Sequence, residues 1–225
     1  MHKLIGRLLI GSAAITFGML PQAQALTVDF ENQGPGLKFN GQSFTQSGFE
    51  MTVDGSFGSV DTVAGLGALA PTGNLTQFYS GFNDSGLVLA RKNGGLFSLT
   101  GFDAAFIPPA PQGSGVFPGA MVVQALTADG SVIESVLGFS SSAKDGKFSF
   151  TTYSGASFSA FSSVQAIEFF ACTFSDGACL NPNRNLGQFA LDNVQLTPQV
   201  PEPATVLLLG LGLAGLALHA RRRSH

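Results

Sequence analysis

The chain has 225 residues, enough for one domain of ordinary size together with terminal signals. All three histidines (His2, His219 and His225) lie outside residues 26–199, which therefore cannot form a Ser-His-Asp triad, a Cys-His pair or a histidine zinc site. Five of the 11 basic residues and one of the 14 acidic residues also lie outside this stretch, which leaves six against thirteen, a net charge of −7. That charge makes nucleic acid a poor partner and favours divalent cations.

The N-terminus has the parts of a secretory signal peptide. A positive start and an apolar stretch (residues 3–20) precede a small-x-small cleavage site formed by Ala23 and Ala25. We therefore expect residues 1–25 to be removed. A genuine first membrane helix is the alternative, which the cleavage site and the short apolar stretch disfavour.

Alternating apolar residues predict strands in the first half of the exported part. Residues 26–31 alternate between apolar and polar side chains, as in a half-buried strand. Two more short strands are expected, around Phe44 and over residues 49–53. Residues 54–81 are rich in Gly, Ser, Thr and Asn and are expected to form long loops with strand fragments.

Two Gly-containing turns predict hairpins. Asn93-Gly94 separates apolar runs at residues 86–90 and 96–106, and such a dipeptide is a strong hairpin signal. The second and clearer hairpin joins residues 121–128 and 132–139 across Asp129-Gly130. Between them, the prolines of residues 108–118 predict an irregular loop.

The final strand, over residues 188–196, changes phase. Its apolar side chains lie at odd positions before residue 192 and at even positions after residue 193. One apolar face can be kept only if a residue is inserted, so we predict a β-bulge at Asp192-Asn193.

The whole of residues 26–199 is predicted to be all-β. No sustained helical periodicity occurs, and short strands separated by Gly-rich turns are typical of an antiparallel β-sandwich, which we expect to be jelly-roll-like. The many phenylalanines are expected to fill the core between the sheets rather than form a ligand platform.

Two cysteines lie in the exported part. Cys172 and Cys179 enclose a short loop, and an oxidising compartment favours a disulfide between them. Metal binding and a free reactive thiol are the less favoured alternatives, since the stretch has no histidine.

The last 26 residues form a separate tail. An uncharged run at residues 204–220 predicts a transmembrane helix of about 25 Å, at the short limit for a membrane span. The residues that flank this run are Val200, Pro201, Glu202, Pro203, Arg221, Arg222 and Arg223. Because an arginine cluster belongs on the cytoplasmic side, the exported domain would face outward. A buried core helix is the alternative.

The Pro-Glu-Pro triplet, short apolar run and arginine cluster resemble the PEP-CTERM sorting signal of Gram-negative bacteria. The resemblance implies that an exosortase, a membrane cysteine transpeptidase, recognises and processes the tail. It further implies a path from the inner membrane, with the domain facing the periplasm, to the cell surface or the extracellular space. Exosortase systems generally accompany exopolysaccharide production, so exopolysaccharide is the implied partner.

Residues 188–192 resemble a QFxxD pattern found in one group of PEP-CTERM proteins. The end of this pattern is also similar to the last strand of jelly-roll carbohydrate-binding modules. That resemblance implies a structural calcium between an acidic residue of the first strand, Glu31 or Asp29, and Asp192. The alternative is that Asp192 and Asn193 satisfy turn backbone at the end of a strand.

Three functions remain open at this point. The first is a non-enzymatic surface or matrix protein associated with exopolysaccharide, and the second is a calcium-stabilised carbohydrate-binding module. The third, a hydrolase that uses acidic residues alone, is disfavoured because no spacing singles out a carboxylate pair. We therefore expect the protein not to be an enzyme.

Overall fold

The computed structural model describes residues 24–108, 119–139, 143–144, 146–175, 178–179, 187–199, 210–213 and 216. The chain divides into two units: Ala23–Gln199, and Met1–Gln22 with Val200–His225. The signal peptide, most of the proline loop and most of the apolar run at 204–220 fall outside the described residues. Within the part that is described, no helix is both long and apolar enough to cross a membrane.

The strands all belong to the unit Ala23–Gln199. In the described residues they are β1 (Leu26–Val28), β2 (Gly36–Phe39), β3 (Ser43–Gln46), β4 (Phe49–Asp54), β5 (Phe57–Asp61), β6 (Phe78–Phe82), β7 (Gly86–Arg91), β8 (Phe97–Phe106), β9 (Ala120–Thr127), β10 (Val132–Gly138), β11 (Ala143–Lys144), β12 (Lys147–Phe148), β13 (Thr151–Ser154), β14 (Val164–Cys172), β15 (Phe174–Ser175), β16 (Ala178–Cys179) and β17 (Phe189–Pro198). The helical segments of this unit are short: α1 (Val63–Leu66) and 3₁₀ turns at Gly67–Leu69 and Gly155–Phe161.

Thirteen of these strands form one hydrogen-bonded network, and this network consists of two sheets. Sheet one has the order β2-β5-β6-β17-β8, with β13 beside β8 and β1 beside the second half of β17. Sheet two has the order β3-β4-β7-β14-β9-β10. A single residue pair, Val164 with Phe97, links the two. Every pairing between these strands is antiparallel, which confirms the all-β antiparallel part of the prediction.

Aromatic rings fill the space between the sheets. Phe102 of β8 meets Phe169 of β14 edge to face, with ring centroids 5.2 Å apart. Phe49 of β4 meets Phe97 of β8 in the same way at 5.1 Å. Contacts of this geometry add about 1 kcal/mol each to the free energy gained by burying the rings. The phenylalanines at these positions are thus core residues, as expected.

The β9–β10 hairpin is confirmed, whereas the hairpin predicted at Asn93-Gly94 is wrong. β7 pairs with β4 and β14 in sheet two, while β8 pairs with β17 and β13 in sheet one. The turn itself forms, since the backbone N–H of Gly94 donates to the carbonyl of Arg91 at 2.9 Å and Gly94 has φ 73°. This turn connects a strand of sheet two to a strand of sheet one. An Asn-Gly pair determines only the local turn, whereas the burial of the apolar faces determines which strands pair.

The first strand is shorter than predicted. β1 ends at Val28, and Phe30 adopts a left-handed conformation with φ 59°. The Phe30 N–H donates to Oε1 of Gln46 at 3.0 Å, and its carbonyl accepts from the N–H of Gln33 at 3.0 Å. The ring of Phe30 is still in the core. Beyond Val28, the alternation that predicted a strand therefore reflects burial and not strand pairing.

Residues 54–81 contain more regular structure than expected, namely β5, β6 and α1. Glycine is required at residue 58 in β5, because a Cβ there would lie 2.2 Å from the hydroxyl oxygen of Tyr79. The predicted loop therefore includes two strands that hold one side of sheet one together.

Candidate functional site

Polar side chains cross the outer face of sheet one. Asp192 of β17 is the cross-strand partner of Asp103 in β8, and Asp103 is the partner of Thr152 in β13. Their chain neighbours Leu191 and Ala104 belong to the core between the sheets. Because side chains alternate along a strand, these three polar residues point to the other face.

The predicted β-bulge is confirmed and shapes this row. The register of β17 against β8 shifts between Asp192 and Gln195, and Asn193 has φ 49°. Leu191 and Val194 are both fully buried, so the inserted residue keeps one apolar face across the change of phase. It also leaves the side chain of Asn193 beside Asp103, with Nδ2 donating to Oδ2 at 2.8 Å.

Asp192 is fully buried beneath a loop. Its Oδ2 accepts from Nδ2 of Asn74 at 2.6 Å and from Oγ1 of Thr76 at 3.3 Å, and its Oδ1 accepts from the N–H of Asn193 at 2.7 Å. Burial raises the pKa of this carboxyl to about 6, although the three hydrogen bonds act to lower it, and the nearby charge of Asp103 raises it further. The side chain therefore holds the loop and is closed to solvent.

The loop over Asp192 is held in shape by its own hydrogen bonds. Oδ1 of Asn74 accepts from the N–H of Thr76 at 2.7 Å, and the single hydroxyl proton of Thr76 is shared between this oxygen, at 2.7 Å, and Oδ2 of Asp192, at 3.3 Å. On the other side, the N–H of Thr72 donates to the carbonyl of Phe148 at 2.8 Å, and the N–H of Phe150 donates to the carbonyl of Thr72 at 2.9 Å. Leu75, at the tip, is 99% exposed.

A cavity of about 290 Å³ lies between this loop and the sheet, and we call it the loop pocket. It is lined by Gly73, Asn74, Leu75, Thr76, Asp103, Phe150 and Asn193. Asp103 accepts from Oγ1 of Thr152 at 2.6 Å as well as from Asn193, and both of its oxygens keep a free lone pair. The floor of the loop pocket is thus rich in hydrogen-bond acceptors.

The carboxylates of the predicted calcium site, Glu31 or Asp29 with Asp192, each accept hydrogen bonds from the protein. Oε1 of Glu31 accepts from the N–H of Gln77 at 2.7 Å, and Asp29 accepts from Nε2 of Gln46. Among the described residues, no three His, Cys, Asp or Glu side chains are grouped so that they could hold a metal ion. The pairing of Glu31 or Asp29 with Asp192 around a calcium ion stays a prediction.

A second pair of carboxyl groups lies in sheet two. The pKa of Glu168 in β14 is raised, first by burial and then by the charge and hydrogen bond of Asp54 in β4. Neither sequence spacing nor any motif distinguishes this pair.

The other predicted site residues can be followed only in part. Cys172 is buried at the end of β14 and is not a free thiol. The side chain of Cys179 lies outside the described residues, so its pairing with Cys172 stays a prediction. Ala23 and the flanking residues of the tail, 200–203 and 221–223, also lie outside them.

Sequence reasoning missed most of the loop pocket. It identified Asp192 and Asn193 through the change of phase, but it identified neither Asp103 nor Asn74. A signal for Asp103 was present, because it is a lone carboxylate within the otherwise apolar second half of β8. Asn74 lies 118 residues from Asp192 in sequence and gives no such signal.

Comparison with known proteins identifies the tail. Residues 199–223 match the PEP-CTERM protein-sorting motif, so the chain carries the tail of an exported protein and is consistent with an exosortase substrate. The comparison with curated proteins gave no match.

Among solved structures, the chain is similar to the CBM22-2 xylan-binding domain of Xyn10C from Paenibacillus barcinonensis, with 12% identity over 77% of this chain and 99% of that one and a TM-score of 0.38. It is also similar to a cyclase from Fischerella sp. TAU, with 15% identity over 78% and 98% and a TM-score of 0.39. Because these TM-scores are low, no statement about this chain's function rests on either similarity.

Proposed function

We propose that the protein is an exported, non-enzymatic surface or extracellular-matrix protein associated with exopolysaccharide. The observation that carries this proposal is the sorting motif at residues 199–223. Its positive flank would stay on the cytoplasmic side of the inner membrane, with the β-sandwich in the periplasm until an exosortase processes the tail.

The chemistry of the β-sandwich supports a binding role rather than catalysis. The chain between residues 26 and 199 has no histidine to act as a base. Asp192, which has the raised pKa expected of an acid catalyst, is fully buried beneath Asn74 and Thr76 and so cannot touch a substrate. Its neighbour Asp103 is committed to hydrogen bonds with Thr152 and Asn193 that fix its orientation.

The delivery part of the proposal is tested in a Gram-negative host that has an exosortase. The variant Pro201→Ala/Glu202→Ala/Pro203→Ala should keep its tail and stay in the inner-membrane fraction, whereas the unaltered chain should lose mass and reach the surface or the medium. Immunoblots of cell fractions measure both. Pro198→Ala, outside the matched motif, is the control. Processing of the triple variant at the normal rate would contradict the proposal.

A calcium-stabilised carbohydrate-binding module is the second candidate, and the acceptor-rich loop pocket favours it. Calcium takes six to eight oxygen ligands, and the Asp103 carboxylate and the side-chain oxygens of Asn74 and Asn193, which line the pocket, are of that type. On this interpretation the melting temperature should rise with millimolar calcium and fall with a chelator. The rise should be lost in Asp103→Asn and kept in Glu50→Gln. A melting temperature that does not respond to calcium would remove the candidate.

A further inference from the structure

We propose that the loop pocket binds a single neutral pyranose ring of an extracellular glycan. This inference rests on the proposed function, in which the protein is exported and meets exopolysaccharide. It assigns the ligand class and the residues that would recognise it, namely Asp103, Asn193, Phe150 and Leu75.

The size of the loop pocket suits one sugar ring. Its volume is about 290 Å³, just below the ~300–1,000 Å³ found for ligand pockets. A longer saccharide would therefore have one ring in the pocket and the remainder outside it.

The polar floor of the pocket accepts hydrogen bonds and so selects a ligand that donates them. Each oxygen of Asp103 already accepts one protein hydrogen bond and can accept another from a ligand hydroxyl. Asn193 uses its Nδ2 on Asp103, and its Oδ1 is a further acceptor among the residues that line the pocket. A carboxylate and an amide oxygen are acceptors of the kind that the hydroxyls of a pyranose require.

The rim of the pocket is apolar. Phe150 is half-buried and is fixed by an edge-to-face contact with Phe78, with ring centroids 5.3 Å apart. Leu75, 99% exposed, contributes almost nothing to the core, so its position at the rim is free for a ligand. A pyranose has an apolar face of C–H groups that would pack on such a rim while its hydroxyls point to the floor.

The charge of the pocket excludes acidic ligands. Asp103 and the buried Asp192 are paired on the adjacent strands β8 and β17, and no basic side chain lines the cavity. A uronic acid or a phosphate would place a like charge beside Asp103, which is unfavourable. The ligand expected here is therefore a neutral sugar.

The pocket is organised before any ligand arrives. Asn74 links the loop to Asp192, and Thr76 bonds back to Asn74, so the rim does not have to be ordered on binding. Asn193 is held at φ 49° by the bulge, a conformation that Asn tolerates better than most residues. Such preorganisation lowers the entropy lost when a ligand binds.

The experiment uses the processed chain recovered from exporting cells. Methyl glycosides of glucose, mannose and galactose are titrated and followed by NMR, with glucuronic acid as the charged comparison. We expect saturable shifts of the Asn193 side-chain amide with at least one neutral glycoside and none with glucuronic acid. Asp103→Asn should weaken binding about tenfold, since it removes a hydrogen bond to a charged group. Leu75→Ala should weaken it roughly threefold.

Two variants serve as matched controls. Glu50→Gln removes an exposed carboxylate from sheet two, and Leu37→Ala shortens a leucine that is 57% exposed on β2, three strands from β17. Both should bind as the unaltered chain does. Leu75→Ala keeps the test decisive if Asp103→Asn folds poorly, because Leu75 is outside the core.

Three results would overturn the inference: no neutral glycoside binds, both pocket variants bind as the controls do, or binding requires calcium and is abolished by a chelator. Failure here is separable from failure of the proposed function. A chain that is processed and displayed normally but binds no glycoside would remove only the sugar assignment, whereas a chain whose tail is never processed would remove the delivery proposal.

Discussion

The outer faces of the two sheets each carry a pair of carboxyl groups, and the two pairs differ in what surrounds them. Asp192 in sheet one is fully buried and accepts three hydrogen bonds, from Asn74, Thr76 and Asn193. Glu168 in sheet two is only partly buried, and its pKa is raised by burial together with the charge and hydrogen bond of Asp54. Both carboxyl groups have a like-charged neighbour, Asp103 and Asp54 respectively, but only Asp192 also binds a loop.

A bulge and a loop account for the difference. The extra residue Asn193 turns a side chain toward Asp103, and the loop around Asn74 covers Asp192. Burial costs a carboxylate several kcal/mol unless hydrogen bonds offset that cost, so the loop and the carboxylate depend on each other.

The two pairs should contribute differently to the pH dependence of stability. The pKa of Asp192 is about 6 in the folded chain and near 3.8 when unfolded, so the folded state binds more protons between these values. Stability from this group is therefore fully present below pH 3.8 and is lost as the pH rises through 6, by roughly 3 kcal/mol in total, since each pKa unit corresponds to about 1.4 kcal/mol. Urea unfolding of the processed chain between pH 4 and 8 should show this slope, and Asp192→Asn should flatten it. If Glu168→Gln reduces the slope of stability against pH more than Asp192→Asn does, Glu168 and not Asp192 is the main source of the pH dependence.

Removal of Asn74 should expose the cost of the buried charge. Asn74→Ala takes away the shortest hydrogen bond to Asp192 and should lower the free energy of unfolding at pH 7.5 by about 2 kcal/mol. The loss should shrink at pH 4, where Asp192 is protonated. Gln124→Ala is the matched control, because Gln124 donates to the exposed carboxylate of Glu134 and should cost less than ~0.5 kcal/mol. Equal losses in the two variants would mean that burial of Asp192 has no special effect.

The backbone at the bulge can be tested apart from its side chain. Asn193→Ala and Asn193→Gly both remove the hydrogen bond to Asp103, but only alanine is strained at φ 49°. Chemical unfolding should therefore show the glycine variant to be about 1 kcal/mol more stable than the alanine variant. A difference near zero would indicate that the bulge rearranges when Asn193 is replaced.

Leu75 should have the smallest effect on stability, in contrast to its expected effect on ligand binding. Because its side chain is almost wholly in solvent, Leu75→Ala should change the free energy of unfolding by less than ~0.5 kcal/mol. Leu99→Ala, at a buried leucine of β8, should cost about 2–5 kcal/mol in the same measurement. A large loss at Leu75 would mean that the loop supports the fold instead of forming a rim.

Local features of this protein could be predicted from sequence because they depend on residues close together in the chain. The sorting tail, the β9–β10 hairpin and the bulge at Asp192-Asn193 each follow from a motif or a change of phase within about 25 residues. The tail is confirmed by its match to the sorting motif, and the hairpin and bulge are confirmed because turn chemistry and strand alternation are short-range effects.

What only the tertiary structure decided is which distant residues meet. The Asn-Gly turn after β7 looked like a hairpin, but β7 and β8 lie in different sheets. Asn74 reaches Asp192 across 118 residues, and Asp103 joins them through strand pairing. Sheet partners are chosen by the burial of whole apolar faces, a property of the packed chain that no local pattern contains.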